Sequence, residues 1–172
     1  MRRLAALLAT VLVLGACGGS DNPSKKPADG KPGRPSPIPT PTVPGSPEFG
    51  IGTALLDGKD GPVLISIEVA ENDEQRGFGL MFREEIPDDY GMAFLYFDPQ
   101  TCCFYMKNTL VPLSVAFFDE EGHIKKILDM EPCEKDPCPT YDPGVSYWGA
   151  LEVNKGAFDE WGVTVGDTIR MN

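Results

Sequence analysis

The 172-residue chain has one histidine, His123, so a zinc site built from two or three imidazoles is excluded, as is an H-E-x-x-H centre. It also lacks a G-x-S-x-G elbow, a P-loop and a Rossmann glycine fingerprint. The common motifs for nucleotide and dinucleotide chemistry are therefore missing, and no sequence feature asks for a Ser-His-Asp triad built on His123. No apolar run approaches the roughly 20 residues that a membrane-crossing helix requires. Positive charge is scarce: 15 Lys and Arg face 26 Asp and Glu, a net charge of −11. Such a chain repels phosphate backbones, which argues against a nucleic-acid partner. No internal repeat indicates a solenoid or propeller, and nothing calls for a cofactor.

What is present begins with Arg2 and Arg3, followed by residues 4–14, apolar apart from Thr10. That run has the length of a secretory h-region and ends in Leu14-Gly15-Ala16-Cys17. The order resembles a bacterial lipobox, which implies a signal peptide over 1–16, cleavage before Cys17 and a diacylglycerol on its sulfur. Palmitate-type acylation and an extracytoplasmic, membrane-anchored position follow from that resemblance, since two acyl chains anchor stably. Residues 18–50 hold 9 prolines, 6 glycines and 4 serines in 33 positions, without apolar periodicity. They read, with Cys17, as an extended linker over 17–50, reaching roughly 100 Å at about 3.1 Å per residue. The signal segment carries +2 and the linker +1, which leaves −14 for a single domain over 51–172.

Alternating apolar residues predict strands over 51–56 and 63–70, joined by the turn cluster 57–62. Val63, Ile65, Ile67 and Val69 share one face of the second strand. Asn72 with Gln75 three residues on forms a capping-box start for a short helix. Further strands are expected at 92–97, 115–118, 123–130, 147–153 and 168–171, with a helical turn over 155–161. Short strands at close spacing with two small helices predict a mostly β domain, an antiparallel sandwich or barrel.

Five blocks occur in order within this domain: Gly79-Leu80-Met81-Phe82-Arg83, Gly91-Met92-Ala93-Phe94, Met106-Lys107-Asn108-Thr109 with Pro112-Leu113, Met130-Glu131-Pro132-Cys133, and Ala150-Leu151-Glu152. Together they resemble the family called domain of unknown function 192, from about Val63 to Arg170. The resemblance implies a jelly-roll-like β sandwich in a mostly extracytoplasmic setting, and no established reaction. Two departures stand out. Tyr105 lies where the family usually has Trp, and Ser114 where it usually has Asp.

Besides Cys17 there are Cys102, Cys103, Cys133 and Cys138. Outside the cytoplasm an even count favours disulfides. Cys133 and Cys138 bracket a short proline-containing loop and read as one bridge. Cys102 and Cys103 can pair vicinally, stay free, or bridge to the other loop. A four-cysteine zinc site lacks its two knuckles, and a thioredoxin-like role lacks C-x-x-C at a helix start. His123, after an acidic turn, reads as an exposed strand-end residue.

Arg83, Tyr105, Lys107, Asn108, Thr109, Tyr141 and Glu152 remain as candidate ligand-binding residues. The structural reading of this set is an internal Lys107–Glu152 or Arg83–carboxylate pair, with Asn108 and Thr109 satisfying a turn. The functional reading puts the set at the mouth of the sandwich, with Tyr105 and Tyr141 as a platform for a sugar or similar polar ligand. A non-enzymatic binding or accessory module of the envelope follows, with a glycan or protein partner. The rival is a hydrolase of glycan or peptide using Lys107 or a carboxylate as general base, and a redox or metal role for the four cysteines comes third. Fatty-acid labelling checks the anchor: wild-type protein is expected to carry label and partition into detergent, and Cys17→Ser to do neither.

Overall fold

The computed structural model describes residues 43–172. The expected signal segment, Cys17 and the linker up to residue 42 lie outside the described residues. Strands β1 (Gly50–Gly58) and β2 (Gly61–Ala70) pair antiparallel, with Gly58 opposite Gly61. Lys59 and Asp60 alone make the turn, shorter than the expected 57–62 cluster, because Gly61 takes a positive φ of 119°. Just ahead of β1, Phe49 packs against the core and the Glu48 carbonyl accepts from the Gln75 side chain at 2.6 Å.

Asn72 caps α1 (Asp73–Phe78) through a reciprocal box. The Gln75 amide donates to the Asn72 side chain at 2.9 Å, and the Asn72 amide to the Gln75 side chain at 3.2 Å. The chain then returns as β3 (Tyr90–Gln100), which lies parallel to β2, with Ser66 opposite Tyr90. A parallel neighbour cannot be reached by a hairpin, so residues 71–89 cross over one face of the sheet. Strands β4 (Phe104–Tyr105), β5 (Leu113–Phe118), β6 (Ile124–Met130), β7 (Thr140–Tyr141) and β8 (Tyr147–Asn154) follow. Helix α2 (Ala157–Glu160) and β9 (Ile169–Met171) complete the domain.

Seven strands form one sheet in the order β6-β5-β8-β3-β2-β1-β9, and β4 pairs with β7 separately. The mostly β class with two short helices is as expected, in the form of a curled half-barrel. The difference is the single parallel pair, which local sequence does not announce. The curl brings the two edges together at one corner, where His123 bridges Thr168. Ile124 donates to the Asp167 carbonyl and Ile169 to that of Gly122, each at 2.9 Å. Gly122 has φ 87°, and a Cβ there would strike the Ile169 carbonyl oxygen, so glycine is required for the close approach.

Alternation along each strand divides the core into two layers. Ile65, Ile67, Ala93, Leu151 and Val153 point inside the curl, where Phe158 of α2 closes it. Met92, Phe94, Val115, Phe117 and Ala150 point outward, beneath the crossover and the β4–β7 segment. Phe104 of β4 meets Phe94 and Phe117 edge-on, with ring centres 5.2 and 5.3 Å apart. That outer layer holds the cavity.

Candidate functional site

Glu152 sits on β8 with Met92 of β3 on one side and Val115 of β5 on the other. Along β8 it shares the outward face with Ala150, between Leu151 and Val153, which point into the curl. It is only 5% exposed and has no hydrogen-bond or ion-pair partner among the described residues. Burial pushes its carboxyl up to about 8.

The carboxyl lines a cavity of about 80 Å³ between the sheet and the crossover. At ~10–15 Å³ for each water centre that is room for several waters, or for the tip of a ligand. Phe94 and Tyr96 of β3 and Phe104 and Tyr105 around β4 supply aromatic walls, and residues 77–81, Cys103 and Thr109 complete it. Arg76, from the last turn of α1, lies at its edge. The guanidinium is committed there: it donates to the Leu95 carbonyl at 2.9 Å and to Asp73 at 2.6 Å, and stacks over the Tyr96 ring at 4.9 Å. Burial raises the Tyr96 phenol above its usual range, against the opposing charge of Arg76. A wider groove elsewhere, beside Asp129, Asp159 and Val163, is open to solvent and has no buried polar side chain at its base.

Of the seven sequence candidates, Tyr105, Thr109 and Glu152 are brought together on this cavity. The other four lie elsewhere. Arg83 is buried and paired with Glu68, and donates to the Tyr90 hydroxyl at 2.8 Å. This is the Arg83–carboxylate pair expected from sequence. A Lys107–Glu152 pair is not formed. Lys107 is half exposed and lies 3.5 Å from Asp136, which is more exposed still. The reason is strand parity: Phe104 and Met106 point inward, so the intervening and following side chains turn out.

Asn108 holds a left-handed turn with φ 58°; its carbonyl accepts from the Phe82 amide at 2.8 Å and its side chain reaches the Met81 sulfur at 3.7 Å. Tyr141 does not join Tyr105 as a platform. It pairs with Phe104 across β4 and β7, and its hydroxyl accepts from the Glu131 amide at 2.9 Å.

Sequence reading missed Glu68, Arg76 and Tyr96. Glu68 alternates with the inward set of β2 and so looks solvated, until the crossover covers that face. For Tyr96 a signal existed, since it follows Phe94 by two on one strand. Ser114, the position of the family's usual Asp, faces away from the cavity beside Ala116 in the inner layer. Its hydroxyl donates to Asp129 at 2.6 Å and accepts from the Gly156 amide at 2.9 Å, so the change removes nothing from the cavity.

Cys133 and Cys138 are bridged, with Cα atoms 5.4 Å apart, and the loop they close carries Asp136, the partner of Lys107. Cys102 and Cys103 form a vicinal disulfide at the cavity's edge. Asp119, Glu121 and His123 converge at the surface turn. Asp119 already accepts from the His123 amide at 2.7 Å there, which makes the cluster part of the hairpin.

The profile of the family DUF192, described as an uncharacterised ACR, matches residues 55–171. The chain belongs to the DUF192 family. Two crystal structures share its fold. One is a Sinorhizobium meliloti 1021 protein provisionally described as a transcription regulator, with TM-score 0.68 and 27% identity over 74% of this chain and 98% of that one. The other is a Novosphingobium aromaticivorans DSM 12444 protein of unknown function, with TM-score 0.67 and 26% identity over 77% and 94%. No curated protein matches significantly.

Denaturant melts separate the two cations of this DUF192 domain. Arg83→Met strands the buried Glu68 charge and is expected to cost about 3–5 kcal/mol. Lys107→Met breaks only an exposed pair and is expected to cost well under about 1 kcal/mol. Glu152 gives a pH signature. Its folded value, about 8, lies above the ordinary 4.5, so the native state keeps a proton that the unfolded chain releases between those values. Its contribution is therefore full below about pH 4.5 and is lost as pH rises towards 8. Compared with Glu152→Gln, wild type is expected to lose up to about 1.4 kcal/mol per pH unit across that window. Urea melts at stepped pH check this, and parallel curves for the two proteins would contradict it.

Proposed function

We propose that this DUF192 domain is a non-enzymatic ligand-binding module of the bacterial cell envelope, tethered through lipidated Cys17 and spaced from the membrane by its proline-rich segment. One observation carries the binding reading: a buried carboxyl with no partner among the described residues forms part of the wall of a cavity. Burying an ionisable group without compensation costs several kcal/mol, and a domain of ordinary stability holds only about 5–15 kcal/mol. Such a group fits a role met when something else occupies the cavity. The aromatic walls and the small volume suit the end of a ligand held by packing and one directed polar contact.

The rival hydrolase reading rests on the raised Glu152 carboxyl, whose value of about 8 suits a general acid. It needs a second reacting group; the hydroxyls that line the cavity are those of Thr109, Tyr96 and Tyr105, and no Lys, His or Ser does so among the described residues. Cys103, the one thiol-bearing residue there, is bound to Cys102. The description of the Sinorhizobium protein as a transcription regulator does not extend readily to a domain of net charge −14, which disfavours DNA.

Titrating the mature chain with cell-wall glycan and peptide fragments tests the reading. Saturable amide shifts at Tyr96, Tyr105, Thr109 and Glu152 are expected, with every fragment recovered intact. Fragment cleavage would favour the hydrolase, and shifts confined to other surfaces would overturn the site.

A further inference from the structure

The ligand class can be narrowed, on the basis of the binding-module reading, by asking which chemistry the cavity compensates. Glu152 is 95% buried, is aimed into the cavity and has no partner among the described residues. The nearest guanidinium, Arg76, is used up by Asp73 and the Leu95 carbonyl. A neutral polar ligand can hydrogen-bond the protonated carboxyl but leaves the cost of ionising it unrelieved, and an anion adds to that cost. A cation relieves it, provided that it reaches the carboxyl through a wall that tolerates charge. Aromatic faces do so, because their quadrupole attracts cations. Tyr96 demonstrates this already, holding the Arg76 guanidinium at 4.9 Å.

Size and long-range field point the same way. A volume of about 80 Å³ has room for several waters, enough for an ammonium or guanidinium and the first carbons behind it. The domain's charge of −14 raises the local concentration of cations around it. We propose that the cavity binds a cationic nitrogen group, an ammonium or guanidinium at the end of an aliphatic stem, with the Glu152 carboxylate as its counter-ion and Tyr96, Phe94 and Tyr105 as its walls.

Binding is then an exchange. The proton on the Glu152 carboxyl leaves to solvent, the carboxylate forms and the cation takes its place, so charge in the cavity remains balanced. Because the empty site holds its proton up to about pH 8, affinity rises with pH to that point and then levels. The titratable and charged groups that share the cavity with Glu152 are Arg76, Tyr96, Tyr105 and Cys103; burial raises the Tyr96 phenol and Cys103 is in a disulfide.

Calorimetry on the full chain tests the proposal, with n-butylammonium, methylguanidinium, butyramide and butyrate as probes in buffers of different ionisation enthalpy between pH 6 and 8. Both cations are expected to bind, to release up to one proton, and to tighten by up to about tenfold per pH unit. Glu152→Gln keeps the shape of the side chain and removes its charge. It is expected to abolish proton release and weaken the cations at least about tenfold at pH 8. An end-blocked oligolysine that binds more tightly than butylammonium supports a cation presented on a polymer, and equal affinity supports a free amine. Binding of butyramide or butyrate without the cations would overturn the cation class and leave the binding module standing. Heat from none of the four would remove both readings. Cation binding that survives Glu152→Gln with its pH dependence intact would place the site elsewhere on the acidic surface and overturn the proposal.

Discussion

The parallel pairing of β2 with β3 is the constraint from which the rest of the domain follows. Every other pairing in the seven-stranded sheet is antiparallel, so each could be joined by a short turn or a strand-end loop. This one requires the chain to leave the sheet and come back in the same direction. Residues 71–89 do so across the outward face, which would otherwise alternate between apolar and polar side chains in water. Once covered, that face becomes a second core, and its polar members must find partners or stay uncompensated. Glu68 finds Arg83 and Tyr90. Glu152 finds none among the described residues, and the cavity lies over it.

The division between what was legible in the chain and what was not has the same origin. Hairpin β1–β2, the Asn72–Gln75 box, the seven strands of the main sheet and the small α2 are written in neighbouring residues, through alternation, caps and glycine, whereas β4 and β7 are not. The crossover depends on contacts between segments far apart in sequence. Glu68 illustrates the loss: read locally it belongs to the polar side of an amphipathic strand, and only the folded crossover turns that side into an interior. Lys107 fails the other way. Its apolar surroundings suggested burial, but Phe104 and Met106 take the inward positions and Lys107 is left in water beside Asp136. Arg83 was legible as a paired cation, although its partner was not.

The two faces of the sheet also separate structural from available chemistry. Ser114, Asp129 and the Gly156 amide form a satisfied polar knot on the side of the inner layer, close to where α2 begins. A carboxylate or a hydroxyl at position 114 can accept from that amide, so the exchange of the family's usual Asp for Ser leaves the anchoring function in place. On the outer side the aromatic contacts of Phe104, Phe117 and Tyr147 are as close as 4.8 Å. They stiffen the layer beside the cavity.

Asn108 and Phe82 are the only non-glycine residues with positive φ among those described, at 58° and 63°, and the amide of one donates to the carbonyl of the other. Asparagine accepts the left-handed region with far less strain than most residues. Its place in the block Met106-Lys107-Asn108-Thr109 is thus accounted for by backbone shape, while Lys107 beside it is free to vary without loss of the turn. The block that most readily marks a chain as a DUF192 member is, at its centre, a signature of geometry. A distant sequence sharing it has inherited the turn that seats the crossover.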